Sequence, residues 1–225
     1  MLLVLATRSF SAPVCMPDTL TNYIGLGAGG CTINGELVNN FSFSFTTTLS
    51  SPLTSGGITV TPSFTLNAFQ LLFSAAGNTP STGFVVTGTD TAQYEIDYTW
   101  DPVVIGAEDD MVTNTPVFPG TATVTSKLCA GQAFGGILCP TAASATNTLT
   151  VFSNGNIPPP SRTTFAPVLV VGSINVIDLQ ANGASSAIRG FQQSVFTPEP
   201  GTWLPMFAGL AFLLCGRRPR FQLFA

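Results

Sequence analysis

The chain has 225 residues, a net charge of −4, 8% charged and 45% apolar residues, and no histidine. Low charge combined with 18 Phe is the reverse of a disordered composition, and about 180 residues are enough to bury a substantial core. Of only seven Lys and Arg, Arg217, Arg218 and Arg220 sit at the extreme C-terminus, so the body lacks the cations that neutralise phosphates and nucleic acid is excluded as a partner. The missing His removes Ser-His-Asp and Cys-His nucleophile systems and the commonest metal-binding side chain. No catalytic residue, cofactor or metal ligand is therefore expected, and the chain reads as a non-enzyme.

The N-terminal run MLLVLATRSFSAPVC opens with apolar residues 2–6, and Ser9, Phe10 and Ser11 form a small-x-small pattern suited to signal cleavage. The run is shorter than a signal core and Arg8 lies on its wrong side, so residues 1–12 read as the tail of a signal peptide that starts upstream. An ordinary first strand is the competing reading. Cys15 and Cys31, then Cys129 and Cys139, make two local pairs separated by 16 and 10 positions. In a Thr/Gly/Phe-rich chain this suggests disulfides and an oxidising compartment, with buried free thiols as the alternative. A metal site would need closer spacing or His partners. The glycine-rich run at 25–30 lacks the strand, helix and downstream acid of a dinucleotide site and reads as a loop between Cys15 and Cys31.

Period-two patterning then dominates. Phe41, Phe43 and Phe45 alternate with Ser42, Ser44 and Thr46, which predicts a strand over 40–48 with its Phe face inward. Ile58, Val60, Phe64 and Leu66 continue this pattern, with Pro62 at a break or an edge. Further strands are expected at 69–73, 84–87, 94–100, 121–128, 146–152, 163–171 and 174–179. Gly56-Gly57, Gly77-Asn78, Asp101-Pro102, Pro119-Gly120, Asn154-Gly155 and Asn182-Gly183 separate them as turns. Many short strands at such spacing predict an all-β fold, an antiparallel β-sandwich or jelly-roll-like domain over 13–182, with 183–197 as an exit strand or linker. Glu108-Asp109-Asp110, near Asp97 and Asp101 in sequence, reads as a solvated acidic turn. It lacks the spacing of an EF-hand loop, and nothing sets a glycosidase-like carboxylate separation.

Residues 198–225 have three parts. Pro198-Glu199-Pro200 is stiff and extended, because each Pro fixes φ and restricts the residue before it. Trp203, suited to a membrane interface, opens a single apolar helix that runs to Gly216 and contains Cys215. Arg217, Arg218 and Arg220 follow as a cytoplasmic stop. This order resembles the PEP-CTERM sorting signal read by exosortases, a signature also catalogued as the ice-binding protein C-terminal domain. The chain departs from it in having Gly201 where Ser is commoner and in extending past the arginines through 221–225. The body resembles a recurrent group of such sorted proteins from bacteria with Gram-negative envelopes. That resemblance rests on Cys15 with Asp18-Thr19-Leu20 and Tyr23-Ile24, on Gly30-Cys31, Gly35 and Asn40-Phe41-Ser42, on Tyr98-Thr99-Trp100-Asp101-Pro102, and on Cys129 with Cys139. It implies export, transient anchoring in the inner membrane through the C-terminal helix, processing by an exosortase, and a structural or adhesive place in the outer envelope or matrix with exopolysaccharide as partner. The alternative function is a polysaccharide-binding or ice-binding module.

Overall fold

The computed structural model describes residues 12–75, 84–101, 104–114, 120–131, 145–151 and 161–197, and of 104–114, 145–151, 161 and 165 the backbone alone. Residues 1–11 of the expected signal-peptide segment 1–12 and the whole of the expected sorting tail lie outside the described residues. So do Gly77-Asn78, Pro119 and Asn154-Gly155.

Thirteen strands are described: β1 Asp18–Thr19, β2 Cys31–Ile33, β3 Glu36–Thr47, β4 Ile58–Thr65, β5 Ala68–Ala75, β6 Phe84–Gly88, β7 Thr91–Trp100, β8 Val104–Asn114, β9 Thr121–Ala130, β10 Ala145–Val151, β11 Ser161–Val168, β12 Val171–Gln180 and β13 Ala184–Phe196. They form two antiparallel sheets. The six-stranded sheet has the order β10-β9-β12-β7-β3-β2, and the seven-stranded sheet has the order β1-β4-β5-β13-β8-β11 with β6 also on β13. The chain is thus an antiparallel β-sandwich, as the alternation of its residues requires.

The register shows why. Along β7 the even-numbered residues Ala92, Tyr94, Ile96, Tyr98 and Trp100 are all buried between the sheets. Opposite them on β3, Phe45 pairs with Tyr94 and Phe43 with Ile96. Phe41 and Tyr98 from one sheet and Phe73 and Phe191 from the other form a continuous aromatic spine. Ring centroids lie 5.2 Å apart for Phe41 and Tyr98, 5.5 Å for Phe73 and Tyr98, and 5.0 Å for Phe73 and Phe191. Each such pair contributes about 0.5–1.5 kcal/mol beyond its burial. The inward Phe face of β3 is reached through a bulge between Asn39 and Ser42, where Asn40 takes φ 56°, a left-handed conformation Asn tolerates. Asn40-Phe41-Ser42 is accordingly part of a strand.

Three sequence expectations change. Of the two readings of 183–197, exit strand and linker, the linker falls: β13 is a strand, and an interior one, paired with β8 on one side and with β6 and then β5 on the other. Its polar residues Ser194, Gln193 and Ser186 are buried and hide the apolar alternation. Glu108, Asp109 and Asp110 form no turn either, since they lie within β8 opposite Arg162, Ser161 and Gln192. The glycine-rich loop is partly helical. Thr19 caps a short helix α1, Leu20–Gly25, by accepting from the Asn22 N–H, and a 3-10 turn Gly27–Gly29 follows. α1 packs between β3 and β4, closing one side of the sandwich with buried Leu20 and Tyr23. Pro62 sits in β4 beyond the two-residue β1, on the sheet's margin as expected.

Candidate functional site

Three polar features stand out in an otherwise apolar fold, and each is built by neighbouring strands. The first is the N-terminal staple. Cys15 and Cys31 are joined by a disulfide. Around it the Cys15 N–H donates to Thr32 O at 2.9 Å and the Thr32 N–H to Pro13 O at 2.7 Å, so residues 13–15 are laid against β2. Tyr23 donates its hydroxyl to Met16 O at 2.8 Å; burial first, then the nearby Asp18 charge, pushes that phenol well above its usual range. Cys129 is also disulfide-bonded, while Cys139, the partner the sequence offers, lies outside the described residues. Disulfides of this kind persist in oxidising compartments.

The second is a buried polar network crossing the sandwich. Gln193 on β13 accepts from the hydroxyls of Tyr98 on β7 and, at 2.5 Å, of Ser173 on β12. It donates to Asn175 Oδ1 at 2.9 Å. Asn175 also accepts from Ser126 on β9 at 2.5 Å and donates to Ile96 O at 3.1 Å. These five side chains are fully buried, so the network has no access to a substrate. It fixes how one sheet registers on the other. Spacing alone could not reveal it, because Tyr98 reads as an apolar member of β7 and Gln193 falls in the segment read as a linker.

The third is Asp97. It lies on the outer face of β7, yet only 3% of its surface is exposed. Ser42 donates to its Oδ2 at 2.8 Å, while its buried Oδ1 has no partner among the described residues. Burial pushes the carboxyl up to about 7, with the Glu95 charge adding to the rise and the Ser42 hydrogen bond opposing it. Asp97 and the Glu108–Asp110 run belong to different sheets. Among the described residues no group of three or more His, Cys, Asp or Glu is placed to hold a metal ion. The Phe row expected to point inward does so and tapers outward, with Phe41 buried, Phe43 half-buried and Phe45 44% exposed.

Pro198, Glu199, Pro200, Trp203, Arg217, Arg218 and Arg220 lie outside the described residues. Among the described residues no helix is long and apolar enough to cross a membrane. The fold does bring the chain to the threshold of the tail. β13 ends at Phe196, and the Thr197 N–H donates to Asn67 O at 3.0 Å.

The class these features define is an antiparallel β-sandwich with at least one disulfide. No protein-family model matches the chain, and no curated protein matches it. Among solved structures it is similar to the carbohydrate-binding module TmCBM61 in complex with β-1,4-galactotriose, with a TM-score of 0.32 and 8% identity over 67% of this chain and 86% of that one. A likeness that slight carries no argument about function.

Proposed function

We propose that the chain is an exported, non-catalytic β-sandwich carried to the cell envelope or extracellular matrix by a C-terminal exosortase sorting signal, and that it serves there in a structural or adhesive role with exopolysaccharide as attachment partner. The observation that supports this reading best is the position of the motif relative to the fold. The last strand closes at Phe196, Thr197 is tied to Asn67, and Pro198-Glu199-Pro200 follows at once. An address label that is read and removed must be separable from its cargo. Cutting the chain after Pro200 would leave every described strand, including interior β13, intact. The Cys15–Cys31 bridge suits a protein folded outside the cytoplasm. A chain of 225 residues without His offers no Ser-His or Cys-His nucleophile system.

In this reading the apolar segment from Trp203 to Gly216 halts the exported chain in the inner membrane, and the arginines keep its end on the cytoplasmic side. The Pro-Glu-Pro segment is then the stretch that the membrane enzyme reads. Pulse-chase fractionation in a host with an active exosortase tests this. The parent chain should leave the membrane fraction with time, and a variant carrying Pro198→Ala, Glu199→Ala and Pro200→Ala should remain in it. Identical fractionation of the two would overturn the proposal.

A further inference from the structure

We infer that the end of the sandwich from which the chain leaves is a bilayer-contacting face, at which Phe64, Leu66 and Leu169 enter the interfacial region of a phospholipid membrane while the tail is anchored. This rests on the reading of the tail given above. The topology places four features at that one end: the β4–β5 turn, the start of β8, the end of β11 and the exit of β13. Thr65 pairs with Ala68, Ala68 with Phe196, Phe196 with Gly106, and Val104 with Val168. The tips there are apolar and unshielded: Leu66 is 94% exposed, Leu169 73% and Phe64 57%.

A single exposed leucine is ordinary. Tight turns, however, normally carry Gly, Asn, Asp or Ser, and two described turns at the opposite end obey this, with Gly88, Thr89 and Asp90 and with Asn182 and Gly183. Large apolar side chains at the tips of the exit end therefore need a partner that tolerates them. Position supplies one. From Thr197 to Leu204, where the apolar run starts, the chain spans at most about 25 Å, so an anchored tail holds this end near the membrane surface. Phe64 and Leu169 stand on β4 and just beyond β11, about 19 Å apart across the sheet, a broad rather than a point contact. Among the described residues, the other sheet contributes exposed Asn34, Gly35, Glu36 and Asp101 to this end, so the domain leans on the rim of the seven-stranded sheet. The acidic groups favour a zwitterionic surface over an anionic one.

The test uses the full chain with Cys215→Ala, reconstituted in phosphatidylcholine vesicles and labelled with an environment-sensitive nitrobenzoxadiazole dye through Leu66→Cys or, as the control at the far end, Thr89→Cys. The inference expects a blue-shifted emission and a loss of quenching by aqueous iodide at position 66 when vesicles are present, and no change at position 89. Equal, water-like emission at both positions in a chain that resists carbonate extraction would overturn the contact and leave the anchored tail standing. A chain washed off by carbonate would overturn both.

Discussion

At the scale of single residues, the two most informative side chains are polar groups that the fold has taken out of water. Asp97 holds a carboxyl that titrates near 7 because burial opposes its charge. The folded state binds this proton more tightly than the unfolded chain, whose Asp titrates near 3.8. The folded protein is thus destabilised by Asp97 as pH rises from about 4 to about 7, and the penalty is constant above that. The groups around it are Ser42 on β3, Glu95 on β7, Ile174 on β12 and, one strand further, Lys127 on β9. Asp97→Asn keeps the shape and removes the charge, so it should stabilise the protein at pH 8 by on the order of 2 kcal/mol and leave stability unchanged at pH 4. Denaturant melts of parent and variant at both pH values check this, since the other carboxylates cancel in the difference. Gln193 poses the opposite case. Gln193→Leu removes the buried acceptor of the Tyr98 and Ser173 hydroxyls and the donor to Asn175 Oδ1, and should cost about 2–4 kcal/mol by the same measurement. A cost below about 0.5 kcal/mol would show that the network does not hold the sheets in register.

At the scale of elements, the staple and the last strand carry the fold's integrity. The Cys15–Cys31 bridge closes a loop of 16 positions, and its loss through Cys15→Ser with Cys31→Ser should cost about 3 kcal/mol on chain entropy. β13 allows no such graded loss. Gly190 sits so close to β5 that an added Cβ would lie 2.4 Å from Phe73 O, and the strand's other edge is covered by β8. A chain ending at residue 183 should therefore fail to fold, while one ending at Thr197 should give the same near-ultraviolet circular dichroism as the full chain.

These elements also show what the sequence could and could not reveal. Strands β3, β4, β5, β7, β9 and β12 were legible because one face is apolar and the other polar, as with Phe41, Phe43 and Phe45 against Ser42, Ser44 and Thr46. The interior place of β13 is not legible, because its buried Ser186, Gln193 and Ser194 hydrogen-bond to Thr121, to Tyr98, Ser173 and Asn175, and to Gln70 instead of presenting an apolar face. Within β8, Glu108-Asp109-Asp110 looks like a solvated turn in the sequence because the strands that pair with it are not visible there. The disulfide pairing of Cys15 with Cys31 was visible in local spacing. The orphaned oxygen of Asp97 was not, since its burial depends on residues brought together only by folding.

In the whole molecule, a sandwich whose described strands end at Phe196 is followed directly in sequence by the tail. The last described strand, the Thr197 tie and the Pro-Glu-Pro segment follow one another directly in sequence, so every described strand precedes the segment proposed to be read by the processing enzyme. The apolar turns at the same end would keep that domain seated at the membrane until it is released. The most direct measurement is the intact mass of the exported protein purified from a strain with an active exosortase. The account predicts a species that retains Phe196 and Thr197 but has lost residues 203–225. A mature protein that still carries Trp203 and the arginines to Ala225 would contradict it.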